Sequence, residues 1–230
     1  MDGDAAPLKE IVALKEKYGA WLMVDEAHAT GLYGKHRRGL AEELGVSDRI
    51  EIQMGTLGKA LGASGGYICG SRTLVDFLVN RARSFIFSTA PVPAAAAAAT
   101  AAIRLVQSGE GQSLNEKLWA RVGECRTGVA PVSIFNSPAP AEKIIGNRRD
   151  ACPTPSAILP ILIGDEAAAV AAATALREQG LFVPAIRYPT VARGAARLRV
   201  TLTAAHTAAD VAALGVALAA IANRQSPIAN

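Results

Sequence analysis

The sequence is poor in cysteine, in aromatic side chains and in long apolar runs. Its three cysteines, Cys69, Cys125 and Cys152, lie far apart with no CxxC or His-rich spacing, which argues against a disulfide framework and against a zinc or other metal site. No window approaches the ~18 consecutive apolar residues of a membrane-spanning helix, and the acidic residues 1–4 lack the features of a secretory signal. We therefore expect a cytoplasmic protein with reduced thiols and no membrane association.

Charge is sparse and nearly balanced. Only 19% of the 230 residues are charged, and 24 Lys and Arg against 20 Asp and Glu give a net charge of +4. The cations are scattered and form no basic arm, which argues against nucleic-acid binding. Half of the residues are apolar, a proportion typical of globular chains and not of disordered ones. A chain of this length can form one large domain or two small ones.

Short apolar runs alternate with helical patterns, which favours an α/β architecture. A predicted helix at residues 8–18 is followed by five apolar residues at 20–24, a pattern typical of a strand buried on both faces. An alanine-rich stretch at 92–107 is interpreted as a buried helix, because alanine is the best helix former and allows close packing. The other elements predicted here are strands at 50–54 and 66–69 and a helix at 71–84.

Periodicity is lost between Thr127 and Pro155, where prolines, glycines and asparagines cluster. The sequence thus predicts a partial large domain over residues 1–127, an irregular linker or insertion over 128–155, and a small α+β domain over 156–230. In the small domain we predict strands at 157–163, 180–185 and 197–202 and helices at 165–179 and 207–222.

The first cluster with chemical potential is Asp25-Glu26-Ala27-His28, directly after the strand predicted at 20–24. Open α/β sheets bind ligands at the carboxyl ends of their strands. Asp25 follows an apolar run closely enough to be partly desolvated, so we expect it to face a cation or a protonated ring nitrogen, or to be neutral. Alternatively, Asp25 caps the next turn and His28 merely packs. The same tetrapeptide occurs in helicase ATPases, but these need a P-loop, and the sequence has none.

The second cluster is a glycine-rich loop, GTLGKALGASGG at residues 55–66, with a single lysine at Lys59. A charged lysine in an apolar loop is costly unless its amine is neutralised or covalently bonded, and a Schiff base removes that cost. The glycines would let the backbone approach a flat ring and a phosphate closely. Taken alone, the loop has a second interpretation, a solvated turn with no role in binding.

Together the two clusters supply the parts of a pyridoxal 5'-phosphate site. Lys59 would bind the aldehyde of the cofactor covalently, and Thr56 would bind its phosphate. Asp25 would keep the pyridine nitrogen protonated and His28 would bond the phenolic oxygen, so that the ring acts as an electron sink.

Five blocks in a fixed order resemble the α-oxoamine synthases, a family of fold-type I pyridoxal phosphate enzymes. They are MDGDAAPL at 1–8, VDEAH at 24–28, TLGKALG at 56–62, FSTA at 87–90 and AIRYPTV at 185–191. The resemblance covers nearly all of the chain except about 128–155. It implies the C-terminal part of a fold-type I transferase, with a partial, mostly parallel sheet, helices and a small α+β domain. It also implies a homodimer, because Ser88 and Thr89 match residues that reach the phosphate across a dimer interface.

The resemblance implies the same four cofactor contacts and adds residues for the substrate. Arg199 matches the arginine that grips the amino-acid carboxylate, a task suited to a planar bidentate donor. Its alternative is an arginine on a strand face that pairs with an acid. Thr190 matches a substrate contact, and Arg187 would assist.

The resemblance further implies a decarboxylative condensation of an acyl thioester with an amino acid, in which Lys59 removes the α-proton. The blocks are most similar to the branch that joins a pimeloyl thioester, carried by coenzyme A or a carrier protein, to L-alanine in biotin biosynthesis. Two alternatives stay open: glycine acyltransfer by the same family, and a truncated chain without activity. Family members carry a long upstream stretch, so we expect the strand at 20–24 to have an uncovered edge and exposed apolar faces.

Overall fold

The computed structural model describes residues 1–128 and 156–225, and the linker predicted at 128–155 therefore lies, apart from Gly128, outside the described residues. The chain divides into two compact units. We call residues 7–115 the N-terminal unit, and residues 1–6 together with the chain from Glu116 onward the C-terminal unit. In the part of the chain that the structure describes, no helix is long and apolar enough to cross a membrane.

The N-terminal unit is built on a small mixed sheet. Its elements, in order, are α1 (Leu8–Tyr18), β1 (Met23–Asp25), α2 (Leu40–Glu43), a 3-10 turn (Ser47–Arg49), β2 (Ile52–Thr56), β3 (Gly66–Gly70), α3 (Arg72–Arg81), α4 (Arg83–Ile86), α5 (Pro93–Gln107) and the start of α6 (Gly109–Gly128). The strands lie in the order β1-β2-β3. Strands β1 and β2 are parallel and β3 is antiparallel to β2.

Helix α1 supplies much of the core of this unit. It begins after Pro7 and ends at Gly19, which adopts a left-handed conformation with φ of 61°. Its residues Leu8 and Val12 pack in a cluster with Ala41, Val46 and Ile50. Leu22 and Val24 also pack against this cluster, so β1 has one covered face.

The other face of β1 is open. Trp21 is 70% exposed and Met23 is 52% exposed. The prediction of a strand buried on both faces at 20–24 is therefore wrong, because the described elements cover only one face, and the strand has three residues instead of five. The expectation of an uncovered edge and exposed apolar faces is confirmed for the edge and for one face, since β1 is the outer strand of its sheet and its opposite face is covered by the cluster around α1.

An ion pair connects α1 to Glu51, the residue before β2. The Lys15 ammonium lies 2.5 Å from Glu51 Oε1, and the Leu22 N–H donates to Glu51 Oε2 at 3.0 Å. The hydrogen bond from Lys15, together with that from Leu22, lowers the pKa of Glu51 to about 2. Glu51 therefore joins a helix, the start of β1 and the start of β2 in one charge-assisted contact.

The helices after β3 differ in part from their prediction. The helix predicted at 71–84 begins at the cap Ser71, whose hydroxyl accepts the Leu74 N–H at 3.2 Å, and it is interrupted at Ala82, which is extended. Helix α5 matches its predicted range, but Ala99 is its one buried residue among those described. Its prediction as a buried helix is wrong, because alanine favours the helical backbone wherever the helix lies, whereas burial needs packing partners.

The C-terminal unit is a layer of helices on an antiparallel sheet. It contains the rest of α6, β4 (Ile158–Gly164), α7 (Glu166–Glu178), β5 (Ala185–Ile186), β6 (Ala196–Thr201) and α8 (Ala208–Gln225), with strand order β4-β6-β5. The strand predicted at 180–185 is only Ala185–Ile186, because Gly180 and Leu181 still bond back to the end of α7. Helix α6 was not predicted; its four glycines obscure the helical pattern.

Candidate active site

Asp25 and Thr56 lie at the carboxyl ends of two neighbouring parallel strands. Asp25 pairs in register with Met54, and side chains alternate along β2, so Asp25 and Thr56 lie on the same face of the sheet. The Glu26 N–H extends the pairing by donating to the Met54 carbonyl at 2.8 Å. Two of the predicted cofactor residues therefore share one end of one face.

Lys59 reaches the same place from the loop after β2. Its amine lies 3.2 Å from Thr56 Oγ1 and donates a hydrogen bond to it. The loop is closed by backbone bonds from Leu57 to the Gly65 carbonyl at 2.9 Å and from Ala63 to the Leu57 carbonyl at 2.8 Å. Gly65 has a φ of 115°, which suits glycine, so this turn returns the chain directly into β3.

The environment of Asp25 and Lys59 differs from the prediction. Both side chains are exposed, so the expected desolvation of the carboxylate and of the amine is wrong for the structure described. Asp25 Oδ1 accepts the Ala27 N–H at 2.8 Å, as the turn-capping alternative requires. His28 lies on the same turn and is exposed. The exposure of Asp25 follows from the open face of β1 described above.

The residues present nonetheless suit pyridoxal phosphate. An amine for the aldehyde, a hydroxyl for the phosphate and a carboxylate for the ring nitrogen lie at one sheet end, and these are the groups that the cofactor requires. Tight backbone also borders the loop: a Cβ on Gly66 would lie 3.3 Å from the Gly55 carbonyl, and one on Gly58 would lie 3.4 Å from the Ala63 carbonyl. Larger side chains would crowd this region.

Ser88 and Thr89 are exposed in the segment between α4 and α5. Ser88 Oγ donates to the Ser84 carbonyl at 2.5 Å, which ties the segment to the preceding turn. The neighbouring side chains of Phe85, Phe87 and Val92 are also exposed. The structure therefore presents Ser88 and Thr89 within an apolar surface of the N-terminal unit.

Arg199 lies on β6 in the C-terminal unit. The alternating residues Leu198 and Val200 are buried on the other face of β6, where α7 packs, so Arg197 and Arg199 share the face away from α7. Arg199 Nε is buried and has no hydrogen-bond partner among the described residues. A buried guanidinium donor without a partner suits an anionic ligand.

Arg197 is occupied by protein groups. It forms an ion pair with Asp2 and donates from Nε to the Ala195 carbonyl at 3.1 Å. Burial lowers the pKa of its guanidinium. The alternative for Arg199 was an arginine on a strand face that pairs with an acid. Arg197, and not Arg199, forms such a pair among the described residues.

Arg187 and Thr190 share one exposed turn after β5. The Thr190 N–H donates to the Arg187 carbonyl at 3.0 Å. Arg193 stacks over the Tyr188 ring at 4.2 Å from its centroid, which covers part of the turn with a cation–π contact. The structure thus brings Arg187 and Thr190 together.

Sequence reasoning missed Glu26. Glu26 is 4% exposed, and its carboxylate accepts the N–H groups of Leu40 at 3.0 Å and Ala41 at 2.8 Å. Gly39 makes room for it, since a Cβ there would lie 2.7 Å from the carboxyl carbon of Glu26. Strand alternation was the available signal, because it places Glu26 on the face opposite Asp25.

The N-terminal unit also contains a cavity of about 1030 Å³. Gln53, Tyr67 and Cys69 line it from the sheet, and Ile103 lines it from α5. Asp25, Thr56 and Lys59 are not among its lining residues, so the cavity is distinct from the end of the sheet where those three lie.

The chain belongs to the aminotransferase class I and II family, whose family model matches residues 1–218. Its curated relatives include proteins named 8-amino-7-oxononanoate synthase. That of Anaeromyxobacter dehalogenans strain 2CP-1 is 48% identical over 221 residues, which are 96% of this chain and 51% of the relative. The chain therefore spans about half the length of the curated relatives it matches.

Solved structures agree with the family. A serine palmitoyltransferase from S. paucimobilis with a bound PLP–myriocin aldimine superposes with a TM-score of 0.83 at 29% identity, over 97% of this chain and 52% of the other. An 8-amino-7-oxononanoate synthase from Francisella tularensis has a TM-score of 0.73 at 23% identity, over 97% of this chain and 59% of the other, and shows the shared fold. The fold is thus that of the fold-type I pyridoxal phosphate transferases, present here as a partial α/β domain with a small α+β part.

Proposed function

We propose that this chain is the lysine-bearing part of a pyridoxal phosphate-dependent enzyme that condenses a pimeloyl thioester with L-alanine. The products are 8-amino-7-oxononanoate, carbon dioxide and the free thiol of coenzyme A or of a carrier protein. The observation that carries the proposal is the meeting of Asp25, Thr56 and Lys59 at the ends of two parallel strands. The relatives named 8-amino-7-oxononanoate synthase support the choice of substrates.

Each residue at the sheet end has a task in this reaction. Lys59 would hold the cofactor through its amine, and that amine, when it is free, would remove the proton from the alanine Cα. Thr56 Oγ1, 3.2 Å from that amine, binds the phosphate. Asp25 holds a proton on the ring nitrogen through its negative charge, and His28 bonds the phenolic oxygen. When bound, the cofactor supplies an electron sink for the charge left on Cα.

Arg199 binds the alanine carboxylate. Its unpartnered Nε supports this role, since a carboxylate can accept two parallel hydrogen bonds from a guanidinium. Arg197, already paired with Asp2, is not available for it. Thr190 and Arg187, which share one turn, contact the substrate beside it.

The functional state is a homodimer in which Ser88 and Thr89 reach the phosphate of the partner subunit. The exposed apolar side chains of Phe85, Phe87 and Val92 support an interface at this segment, because exposed apolar patches of this kind mark association surfaces.

The domain division at residues 1–127, 128–155 and 156–230 also remains part of the proposal.

Covalent trapping tests the cofactor role. The purified chain is mixed with pyridoxal phosphate, reduced with borohydride and digested, and pyridoxyl-lysine is located by mass spectrometry. We expect the label on Lys59, with Lys59→Ala abolishing it and Lys35→Ala, at another exposed lysine, leaving it unchanged. Equal labelling of Lys59, Lys9, Lys17 and Lys35 would contradict the proposal, since all four side chains are exposed.

Turnover then decides the substrates. Pimeloyl-coenzyme A with L-alanine is compared with acetyl-coenzyme A with glycine, and release of free thiol is measured. We expect the first pair to react faster. A preference for the second pair would assign the chain to glycine acyltransfer instead.

A further inference from the structure

We propose that Thr30 and Tyr67 form a latch that holds the turn carrying Asp25 and His28 in register with the strand end that carries Thr56 and Lys59. The latch is the pair of hydroxyl groups of Thr30 and Tyr67, and both are positioning residues. The inference rests on the proposed function and adds to it, because nothing in the chemistry of the cofactor requires these two side chains.

The turn is organised around one carbonyl. The Glu26 carbonyl accepts the N–H of Ala29 at 2.8 Å, the N–H of Thr30 at 2.9 Å and the hydroxyl of Thr30 at 3.1 Å. The Glu26 N–H donates to the Met54 carbonyl, so the first residue of the turn belongs to the sheet. His28 lies between the bond to the sheet at Glu26 and the far end of the turn at Thr30.

Tyr67 holds that far end. Its hydroxyl lies 2.8 Å from Thr30 Oγ1. Because the Thr30 proton is already directed at the Glu26 carbonyl, the Tyr67 hydroxyl is the donor of this bond. The result is a series of two hydrogen bonds, from Tyr67 to Thr30 and from Thr30 to the Glu26 carbonyl. Consecutive hydrogen bonds of this kind strengthen one another.

Tyr67 is itself fixed above β2. It pairs in register with Gly55, the residue before Thr56, and a Cβ at Gly55 would lie 2.4 Å from the Tyr67 hydroxyl oxygen. The phenol therefore lies directly on the backbone of β2, and only glycine at position 55 allows this contact. One end of the latch is on the turn of Asp25 and His28, and the other is on the strand that leads to Lys59.

The exposure of the cofactor residues gives such a latch a role. Asp25 and Lys59 are exposed, so burial contributes little to fixing their positions. The buried Glu26 carboxylate anchors the start of the turn to α2. The Thr30–Tyr67 bond provides the matching anchor at its end.

Hydrogen exchange in the full chain without cofactor tests the latch directly. In Tyr67→Phe, the Ala29 and Thr30 amides should exchange about fivefold faster, as expected for the loss of one hydrogen bond. Thr30→Val also removes the bond to the Glu26 carbonyl and should exchange at least as fast. The double variant should exchange no faster than Thr30→Val, because that variant already lacks the bond that Tyr67→Phe removes. Thr30→Ser, which keeps the hydroxyl, should restore protection. Tyr18→Phe and Thr174→Val remove exposed hydroxyl groups elsewhere and should change nothing.

The latch is overturned if Tyr67→Phe exchanges like the wild type, or if Thr30→Ser exchanges as fast as Thr30→Val. A second measurement separates positioning from mere stability. The concentration of pyridoxal phosphate that half-labels Lys59 should rise severalfold in Thr30→Val and Tyr67→Phe and stay unchanged in Thr30→Ser. Unchanged labelling in all three variants would overturn the positioning role. A wild-type chain that never labels Lys59 would overturn the proposed function, and exchange alone would then decide the latch.

Discussion

Arg197 and Arg199 show how two identical side chains, two residues apart on one strand face, differ in what they contact. Arg197 has an acidic partner in Asp2 and a carbonyl partner in Ala195, whereas the Arg199 Nε is buried without a partner among the described residues. A buried donor that is left unsatisfied costs stability, and a satisfied one does not. The difference therefore has consequences for both folding and binding.

Removing Arg197 should lower stability, whereas removing Arg199 should not. Arg197→Met leaves the Asp2 carboxylate without its cation and should lower the free energy of unfolding by about 1–3 kcal/mol. Arg199→Met removes an unsatisfied donor and should leave the free energy unchanged or raise it. Urea unfolding monitored by circular dichroism measures both. Equal losses in the two variants would show that Arg199 has a structural partner.

Glu51 gives the N-terminal unit a defined pH dependence. Its pKa is about 2 in the folded chain, against an ordinary value of 4.5, so its contribution to stability is full above pH 4.5 and is lost as the pH falls toward 2. Glu51→Gln should therefore be less stable than the wild type at pH 7, by an amount that stays constant down to about pH 5 and then shrinks. Urea midpoints measured between pH 7 and pH 3 check this. A difference that grows on acidification would contradict the assignment.

At the scale of the element, the β2–β3 ladder depends on one close approach. The backbone of Gly55 supports the Tyr67 ring on one face, while Thr56, the next residue, projects from the other face toward Lys59. Strand β2 thus packs against the Tyr67 ring through Gly55 and carries the Thr56 hydroxyl at the next residue. Substitution at position 55 is the sharpest test of that arrangement.

Gly55→Ala should destabilise the chain and Gly123→Ala should stabilise it. A Cβ at Gly55 meets the Tyr67 hydroxyl oxygen at 2.4 Å and must displace the ring, at a cost of about 1–3 kcal/mol. A Cβ at Gly123, inside α6, meets nothing within 4 Å, so the better helix propensity of alanine should add about 0.5–1 kcal/mol. Thermal unfolding compares the two. A neutral Gly55→Ala would show that Tyr67 does not lie on β2 in solution.

The start of α7 depends on a single cap. Asp165 accepts the Ala168 N–H at 2.7 Å, and the helix packs its buried residues Ala169, Ala172 and Leu176 on the sheet of the C-terminal unit. Asp165→Ala should cost about 1 kcal/mol, the usual value of a lost N-cap. Thr174→Ala, at an exposed position on the same helix, is the control and should cost less. Equal costs would show that the cap carries no stability.

At the scale of the whole molecule, the sequence predicted what local patterns determine. Helix α1 follows from apolar spacing with proline and glycine at the ends, helix α5 follows from the helix propensity of alanine, and the meeting of Asp25 with Thr56 follows from the carboxyl ends of parallel strands. Burial was predicted less well, as the exposed Lys59 and the exposed alanines of α5 show. Burial depends on what covers an element, and apolar spacing along one segment carries no information about its neighbours.

The Thr30–Tyr67 pair and the Asp2–Arg197 pair could not be predicted for a related reason. Each joins residues distant along the chain, and neither threonine, tyrosine nor a surface acid is unusual where it stands. The Thr30–Tyr67 pair depends on the register of β2 with β3, and the Asp2–Arg197 pair depends on residues 1–6 belonging to the C-terminal unit.

The return of residues 1–6 has a practical meaning for anyone who trims or tags this chain. Residues 1–6 belong to the C-terminal unit, as does the strand that carries Arg197. Gly3 is packed so closely that a side chain there would collide with the Ile158 carbonyl. Cutting away the first few residues would strip the counter-ion from an arginine near the other end of the sequence. A substitution at Asp2 would therefore affect β6, the last strand, which lies far away along the sequence.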